Sequence, residues 1–333
     1  MAHAWRLKSR PTGIPTSANF ELVDIPRAPL GEGEIRVRNH WLSVDPYMRG
    51  RMNDVKSYVP PFAIGEPMQG GATGEVIESR NEGFAAGDLV FHMGGWRDEA
   101  VVGAHLNPFK LPDMGLPEQT WLHNMGLTGA TAYMGLLKTA RAKPGDVVFV
   151  SAAAGAVGSA VVQIAKAKGM TVIGSAGGTN KCAWVMELGA DACIDYKAGP
   201  VHPQLREAAH AVGSGGIDIY FDNVGGDHLD AAFATANNFA RFAICGMIDA
   251  YNDGKPLELQ YILRCISARI RMQGFIYTDF MADMPEFYAD MGRMIAEGKV
   301  VARETITEGL ESAPQAFLGL FSGANMGKML VKL

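Results

Sequence analysis

The chain has 333 residues, more than one ordinary domain holds, and its length favours two. Hydrophobic residues make up 48% and charged residues 20%, as in soluble globular proteins. The 30 basic and 35 acidic residues give a formal net charge of −5 without a basic run, which argues against a nucleic-acid partner. The N-terminal segment lacks a signal peptide's apolar core, and no stretch reaches the roughly 18 apolar residues of a membrane helix. We therefore expect a cytoplasmic protein without a membrane partner.

Residues 1–122 contain short strand-like stretches between Gly and Pro turns. Residues 34–44 and 70–79 are examples, and residues 83–93 place a Gly-Asp turn before another apolar strand. Short strands with frequent turn signals are typical of a rolled or barrel-like sheet. The sequence therefore predicts a β-rich first domain.

From about residue 123, strands alternate with helices. A β-branched run at 146–151 precedes a helical pattern that stops at Gly169, and a second strand at 170–175 precedes a second helical pattern. This alternation predicts right-handed βαβ units in a doubly wound parallel sheet, the Rossmann architecture. After about residue 303 the pattern is strand-like again. We expect residues 304–333 to return to the first domain, which leaves 123–303 as the second.

A glycine-rich turn follows the strand at 146–151. Ala153, Gly155 and Gly158 occupy the three positions of the GxGxxG pattern, with alanine replacing the first glycine. Gly155 lets the backbone approach a pyrophosphate, Gly158 lets the helix pack closely on the strand, and the helix start attracts phosphate. A strand before it, an amphipathic helix after it and a second strand within about 30 residues predict dinucleotide binding rather than a tight turn alone.

The residues after the second strand favour NADPH over NADH. An NAD site usually carries an acid about 20 residues after the glycines, but this strand ends in Ser175 and continues with residues 176–178, which are not acidic. Lys181 follows in a helix's first turn, an unfavourable place for a cation unless it meets a 2′-phosphate. Tyr196, at the end of the third strand, can offer its hydroxyl to the same group.

A catalytic zinc is not expected. Zinc-dependent dehydrogenases bind the metal through a thiolate and a histidine. The cysteines, which begin only in the second domain, lack CxxC spacing and are interpreted as small buried hydrophobic residues: Cys182, Cys193, Cys245 and Cys265. The N-terminal histidines have no metal-ligand spacing: His40, His92, His105 and His123.

Several segments together resemble the zinc-independent branch of the medium-chain dehydrogenase/reductase superfamily. The closer likeness is to its NADP-dependent alkenal/one double-bond reductases, which include prostaglandin (leukotriene) and curcumin reductases. The segments are AAAGAVGS, the Lys181 and Tyr196 pair, YFDNVGG (220–226), CGMIDAYN (245–252) and DPYMRGRM (45–52). The likeness spans nearly the whole chain. It implies an α/β protein with a β-rich GroES-like catalytic domain, a Rossmann NADP(H)-binding domain and a homodimer, with the strand RIRMQGFIY (269–277) near the interface.

The resemblance also implies cofactor contacts at matching positions. The pyrophosphate is held by Gly155, Ala156, Val157 and Gly158, and the 2′-phosphate by Lys181 and Tyr196. Asn223 lies beside the cofactor at a strand end, and Asn325 reaches it from the C-terminal segment. The nicotinamide half is lined by Cys245, Gly246, Met247, Ile248, Tyr251, Phe275, Ile276 and Tyr277.

The reaction that fits is hydride delivery to the β-carbon of a small enal or enone without a metal. Negative charge then develops on the carbonyl oxygen, and a positioned hydrogen-bond donor stabilises it. Tyr251 and Tyr47, from the two domains, are the candidate catalytic donors in a cleft between them. Arg49 and Arg51 are interpreted as solvated loop charges.

Two alternatives remain. A zinc-independent NADPH quinone reductase would share the glycine-rich turn, although DPYMRGRM and CGMIDAYN favour the double-bond reductases. A non-catalytic NADPH-binding sensor or scaffold would not need both Tyr47 and Tyr251. Turnover of enals, enones and quinones distinguishes these possibilities.

Overall fold

A computed structural model describes residues 1–252 and 256–333 of the chain. These residues divide into two compact units, Met1–Leu122 with Glu304–Leu333 as the first and His123–Arg303 as the second. Within the described ranges, every helix is too short or too polar to cross a membrane.

The strands and helices are numbered in chain order. The strands are β1 (Ala2–Leu7), β2 (Phe20–Ile25), β3 (Ile35–Ser43), β4 (Ala72–Ser79), β5 (Leu89–His92), β6 (Glu99–Val102), β7 (Phe109–Lys110), β8 (Val147–Val150), β9 (Thr171–Ala176), β10 (Ala192–Asp195), β11 (Ile217–Asp222), β12 (Ala236–Ile244), β13 (Arg271–Gly274), β14 (Glu304–Glu308) and β15 (Lys328–Lys332). The α-helices are α1 (Tyr47–Arg51), α2 (Leu127–Tyr133), α3 (Ala156–Ala167), α4 (Thr179–Glu187), α5 (Val201–Ala211), α6 (Gly226–Thr235), α7 (Arg264–Ser267), α8 (Met284–Ala296) and α9 (Ala313–Ser322). A π-helical turn, Met134–Thr139, continues α2, and the 3-10 turns are Ser17–Asn19, Ala104–Leu106, Glu118–Leu122, Ile248–Ala250, Tyr277–Asp283 and Leu310–Ser312.

The first unit is built on a seven-stranded sheet in the order β14-β15-β3-β4-β5-β7, with β6 pairing to β3. Strand β15 pairs antiparallel to β3, with Leu330 opposite Ser43, so the C-terminal residues are part of this sheet. A separate hairpin joins β1 to β2. Apolar side chains from β3, α1 and α9, among them Leu42, Met48 and Phe317, pack in one buried cluster.

A buried ion pair fastens the C-terminal strand to the start of α1. The Lys328 ammonium lies 2.6 Å from the Asp45 carboxylate, and it also donates to the Val44 carbonyl at 3.1 Å. Ser43 donates its hydroxyl to the same carboxylate. Because both charges are almost fully buried, each depends on the other for its stability in the interior.

The second unit is a six-stranded parallel sheet in the order β10-β9-β8-β11-β12-β13. Strand β8 is central and all its residues are buried, as expected of a parallel strand covered on both faces. Helices α3 to α6 connect the strands and pack on them. The carboxyl ends of all six strands therefore lie along one edge of the sheet, and the order reverses beside β8. The predicted fold class, a β-rich domain plus a Rossmann-like parallel sheet, is confirmed.

Three local predictions are wrong. The strand expected over 269–277 is limited to Arg271–Gly274, because Phe275 leaves the sheet edge to pack on Phe221. Arg49 and Arg51, expected in solvent, are only 3% and 6% exposed, since loop carbonyls and amides surround their guanidinium groups. The cysteines, expected to be buried, are each half-buried.

Candidate functional site

The glycine-rich turn joins β8 to α3. Ala152 adopts a left-handed φ of 48°, and its carbonyl accepts the Gly155 N–H at 2.8 Å. A Cβ atom at position 158 would lie 2.2 Å from the Ala152 carbonyl oxygen, so only Gly158 lets α3 begin so close to β8. The N–H groups of Ala156, Val157 and Gly158 lie in the first turn of α3, where helical hydrogen bonding leaves donors for a ligand. This arrangement fits a pyrophosphate.

Two lysines and a tyrosine gather around the turn that follows β9. A Cβ atom at position 177 would lie 2.6 Å from the Tyr196 hydroxyl oxygen and 3.0 Å from Lys197 Cε, so Gly177 makes room for both. Asp195 fixes the turn by accepting the Lys197 N–H at 2.9 Å. Burial lowers the pKa of Lys181, and the charge of Lys197 lowers it further. An anion such as a 2′-phosphate would stabilise the two neighbouring ammonium groups of Lys181 and Lys197.

His228 supports the ring of Tyr196 from below. Its Nε2 lies 2.9 Å from Ser175 Oγ, and its ring centroid is 6.4 Å from that of Phe149 and 5.5 Å from that of Tyr196. Burial lowers the pKa of His228 to about 4, so the imidazole is neutral at physiological pH. The histidine therefore holds Tyr196 in place without adding a third positive charge.

A buried carboxyl group closes the turn after β11. Asp222 Oδ1 accepts the Tyr220 hydroxyl at 2.7 Å and the N–H groups of Val224 and Gly225 at 2.9 and 2.8 Å. Its Oδ2 is buried and has no hydrogen-bond partner among residues 1–252 and 256–333. Burial raises the pKa of this carboxyl, although the three donors oppose the shift. Ser151 Oγ, directly after β8, lies 3.2 Å from the Tyr220 hydroxyl oxygen, which connects the two strand ends.

The segment after β12 is fastened to the same residue. The N–H groups of Cys245 and Gly246 donate to the Asp222 carbonyl at 2.9 and 3.0 Å. Burial raises the pKa of Cys245 to about 12, and Asp222 contributes, so the thiol stays protonated. A Cβ atom at position 246 would lie 2.8 Å from the Tyr251 hydroxyl oxygen. The glycine therefore lets this candidate donor lie against the backbone of the segment.

Met247 and Asp249 lie against Gly225 and Gly226, the two glycines that follow Asn223 and Val224. Gly225 has a φ of 77°, and a Cβ atom there would lie 3.0 Å from Met247 Cβ. The Ile248 N–H donates to the Asn223 carbonyl at 3.3 Å, and the Asn223 side-chain amide donates to the Ser151 carbonyl at 2.8 Å. Asn223 thus links the ends of β8 and β11 to the segment after β12.

The three residues after β13 have a packing role in the second unit. A Cβ atom at position 135 would lie 2.3 Å from Phe275 Cζ, and the Phe275 and Phe221 rings meet edge to face at 6.0 Å. Ile276 precedes a 3-10 turn that begins at Tyr277, whose pKa is raised by burial. The half-buried ring of Phe275 therefore packs on the second unit at the carboxyl end of β13.

Tyr47 and Asn325 belong to the first unit. Tyr47 is the first residue of α1, and its hydroxyl oxygen is buried. Asn325 lies in the turn between α9 and β15, where its side-chain amide donates to the Gly327 carbonyl at 2.8 Å. The side chain of Asn325 thus stabilises its own turn.

The second unit gathers most of the predicted residues along one edge of its sheet. They follow the ends of the six strands β8 to β13: the turn after β8, Lys181 in the helix after β9, Tyr196 after β10, Asn223 after β11, residues 245–251 after β12 and Phe275 after β13.

Several residues at this edge were not predicted from the sequence, among them Ser151, Lys197 and Asp222. Lys197 directly follows the predicted Tyr196, so a basic residue beside a presumed phosphate contact was an available signal. Asp222 ends a buried strand and precedes Asn-Val-Gly-Gly, a pattern in which an acid caps the N–H groups of a turn.

Across the described ranges, no group of three or more His, Cys, Asp or Glu side chains is placed to hold a metal ion.

Comparison with known families gives two matches. Residues 3–108 match the family described as the N-terminal domain of oxidoreductase, and residues 156–296 match the family described as zinc-binding dehydrogenase. The first match falls in the first unit and the second in the second unit.

Individual relatives match over nearly their full length. The NADPH-dependent curcumin reductase of Escherichia coli is 42% identical, covering 99% of this chain and 96% of the relative. The NADP(+)-dependent 2-alkenal reductase of Nicotiana tabacum is 39% identical, covering 98% and 95%. A crystal structure of CurA from Vibrio vulnificus in complex with NADPH superposes with a TM-score of 0.92 at 43% identity, covering 99% of this chain and 98% of that one.

Replacing Asp222 tests how the edge is held together. We expect Asp222→Ala to lower the free energy of unfolding of the second unit by about 3 kcal/mol or more, because three buried donors lose their acceptor. Asp222→Asn keeps the acceptor oxygen and should cost much less. Urea unfolding of both variants measures the difference, and equal destabilisation by Asn and Ala would contradict this role of Oδ1.

Proposed function

The chain belongs to the family of NADP-dependent alkenal and enone reductases, and on that premise we propose that it reduces the carbon–carbon double bond of small α,β-unsaturated aldehydes and ketones with NADPH. The observation that carries the proposal is the composition of one sheet edge. A glycine-rich helix start and a lysine–tyrosine cluster suit the phosphates of NADPH, and Tyr251 lies on the same edge.

The proposed cofactor contacts use backbone and side chains differently. The first N–H groups of α3 hold the pyrophosphate, because they carry the positive end of the helix dipole. Lys181, Lys197 and Tyr196 hold the 2′-phosphate, which neutralises the repulsion between the two ammonium groups. Asn223 and residues 245–248 shape the surface for the nicotinamide half.

The proposed chemistry needs a donor for the substrate oxygen. NADPH supplies the hydride when it is bound. The substrate carbonyl oxygen gains negative charge as its β-carbon is reduced, and a hydroxyl that donates to this oxygen stabilises the transition state more than the ground state. Tyr251 and Tyr47 are the proposed donors. A tyrosine with an ordinary pKa near 10 is protonated at pH 7 and can donate.

We propose that these donors replace a metal ion as the stabiliser of the developing charge. The first cysteine of the chain is Cys182, so residues 1–181 offer no thiolate of the kind that catalytic zinc sites in dehydrogenases use. The four free cysteines also suit a reducing compartment, and we propose a cytoplasmic location.

A substrate screen tests the function. Purified protein should oxidise NADPH with linear enals and with enones, and Tyr251→Phe should lower kcat by about tenfold to a hundredfold, because one donor to the developing charge is lost. Phenylpropenoids and a simple quinone are assayed in parallel by absorbance of NADPH. Faster turnover of the quinone than of every enal would favour a quinone reductase, and no turnover of any compound would favour an NADPH-binding sensor.

Lysine variants test cofactor selection. Lys181→Met and Lys197→Met should each raise the KM for NADPH by about tenfold and leave the KM for NADH unchanged, because a charge-assisted contact to the 2′-phosphate is removed. Lys299→Met, which removes a surface lysine paired with Glu297, is the matched control and should change neither constant. An equal loss with both cofactors, or a native preference for NADH, would contradict the assignment.

We also propose that the enzyme is a homodimer joined through β13. This strand ends the sheet, so one row of its backbone groups is not paired within the sheet. Apolar side chains are exposed beside it, with Met272 at 47%, Leu263 at 74% and Ile266 at 76%. A second copy of the chain would cover both the strand edge and these side chains.

Light scattering after size-exclusion chromatography tests the dimer. The native chain should elute at twice its own mass, and Met272→Lys should shift it toward the monomer, because a charge would be buried without a partner. Met186→Lys is the matched control, since Met186 is 43% exposed on α4 at the other end of the sheet. A native monomer, or equal effects of the two variants, would contradict the interface.

A further inference from the structure

Arg51 lies on the same helical face as the candidate donor Tyr47. The two residues are the last and the first of α1, four positions apart, which places their side chains beside each other. Arg51 is 6% exposed, and the Tyr47 hydroxyl oxygen is buried. Tyr47 raises the pKa of the Arg51 guanidinium against the larger, lowering effect of burial, so the two side chains lie within electrostatic reach of each other.

The Arg51 guanidinium is held from three sides. Its Nε donates to the Pro60 carbonyl at 2.9 Å, and its Nη2 donates to Gln69 Oε1 at 2.8 Å. The Phe62 ring centroid lies 4.1 Å from the guanidinium carbon. These contacts prevent the side chain from turning toward solvent, so its charge stays beside the phenol.

The partners of this buried cation are neutral groups. Within the ranges that the structure describes, Arg51 forms no ion pair with a carboxylate, whereas the buried Lys328 is matched by Asp45 at 2.6 Å. Burial lowers the pKa of Arg51, and Tyr47 and Tyr58 raise it. In the described part of the chain, the Arg51 charge is therefore stabilised by the Pro60 carbonyl, the Gln69 amide oxygen and the Phe62 ring, and by the phenols of Tyr47 and Tyr58. Buried charges are usually paired, and an unpaired one is a feature of functional sites.

We propose that Arg51 is a positioning residue that fixes the Tyr47 hydroxyl and strengthens it as a hydrogen-bond donor to the substrate oxygen. A positive charge beside a phenol stabilises the phenolate, so the phenol becomes a stronger acid and a stronger donor. The proposal rests on the proposed function in one respect: Tyr47 donates a hydrogen bond to the substrate oxygen. The coupling between Arg51 and Tyr47 is a property of the first unit and is measured without substrate.

Among the residues that the structure describes, the other ionisable groups near Tyr47 in the sequence differ from Arg51 in their surroundings. The Asp45 carboxylate, two residues before Tyr47, is matched by Lys328. Arg49 lies on another face of α1 and donates to the Gly13 carbonyl and to Asn53 Oδ1 at 2.9 and 2.7 Å. Tyr58, on the loop after α1, is 64% exposed. Among these groups, Arg51 is the buried cation that shares a face of α1 with Tyr47.

The test is a titration of residue 47 in the cofactor-free protein. Tyr47→3-fluorotyrosine gives a single ¹⁹F signal whose shift reports ionisation of that phenol. Adding Arg51→Met should raise the pKa of the phenol by about one unit or more, because a nearby cation shifts a pKa by this amount. Arg51→Lys keeps the charge and should give a smaller rise.

Gln69→Glu is the sharpest variant, because it keeps the acceptor for Arg51 Nη2 and adds a negative charge. If Arg51 tunes Tyr47, the pKa of the phenol should rise. Because a carboxylate at position 69 also raises the pKa of a nearby phenol by its own charge, this rise supports the proposal only together with a rise in Arg51→Met. Arg49→Met removes a second buried cation from α1 and should lower stability without moving the titration. Unchanged titration in Arg51→Met would overturn the proposal, and unchanged titration in Gln69→Glu would overturn it if Arg51→Met does not fold.

Turnover separates this proposal from the proposed function. With an enone as substrate, kcat in Arg51→Lys and Gln69→Glu should fall by up to about tenfold per unit of pKa rise, while the KM for NADPH stays constant. A shifted titration with unchanged kcat would retain the coupling and remove Tyr47 from the list of donors. An unshifted titration with reduced kcat would retain an enzymatic role for α1 and overturn the coupling.

Discussion

The edge that carries the candidate site depends on the buried carboxyl group of Asp222. One of its oxygens satisfies two N–H groups of the turn after β11, and its backbone carbonyl satisfies two more at the end of β12. Through the Tyr220 hydroxyl the same group is linked to Ser151 at the end of β8. Three neighbouring strand ends are therefore joined at one residue, and the position of the segment that carries Tyr251 follows from this junction.

The basic side chains of Lys328, Lys181 and Arg51 lie in different electrostatic surroundings. Lys328 is buried but matched by Asp45, so it contributes to the fold. Burial and the charge of Lys197 lower the pKa of Lys181, and an incoming phosphate would oppose this shift. Arg51 is buried among neutral groups beside a phenol. The neighbours of these basic residues are thus a carboxylate for Lys328, a second ammonium group for Lys181 and a phenol for Arg51.

The fold and the cofactor edge could be predicted from local patterns. Alternation of strands and helices indicated the parallel sheet, and the spacing of Gly155 and Gly158 indicated the phosphate turn, because both depend on neighbours in sequence. Contacts between residues far apart in the sequence could not be predicted from these local patterns. Arg49 and Arg51 looked like loop charges because nothing in their own segment shows that residues 60–69 cover Arg51. Phe275 stands at a position that the family resemblance assigns to cofactor contact. The packing of its ring against Gly135 and Phe221 is a long-range contact that the sequence does not show.

Tracing the hydride tests the central claim most directly. The protein is incubated with NADPH carrying deuterium at the transferable position of nicotinamide C4 and with a linear 2-alkenal, and the product is analysed by NMR. If the enzyme reduces the carbon–carbon double bond, deuterium will be found on the β-carbon of a saturated aldehyde. Deuterium on the former carbonyl carbon of an allylic alcohol would show carbonyl reduction instead and would contradict the proposed function.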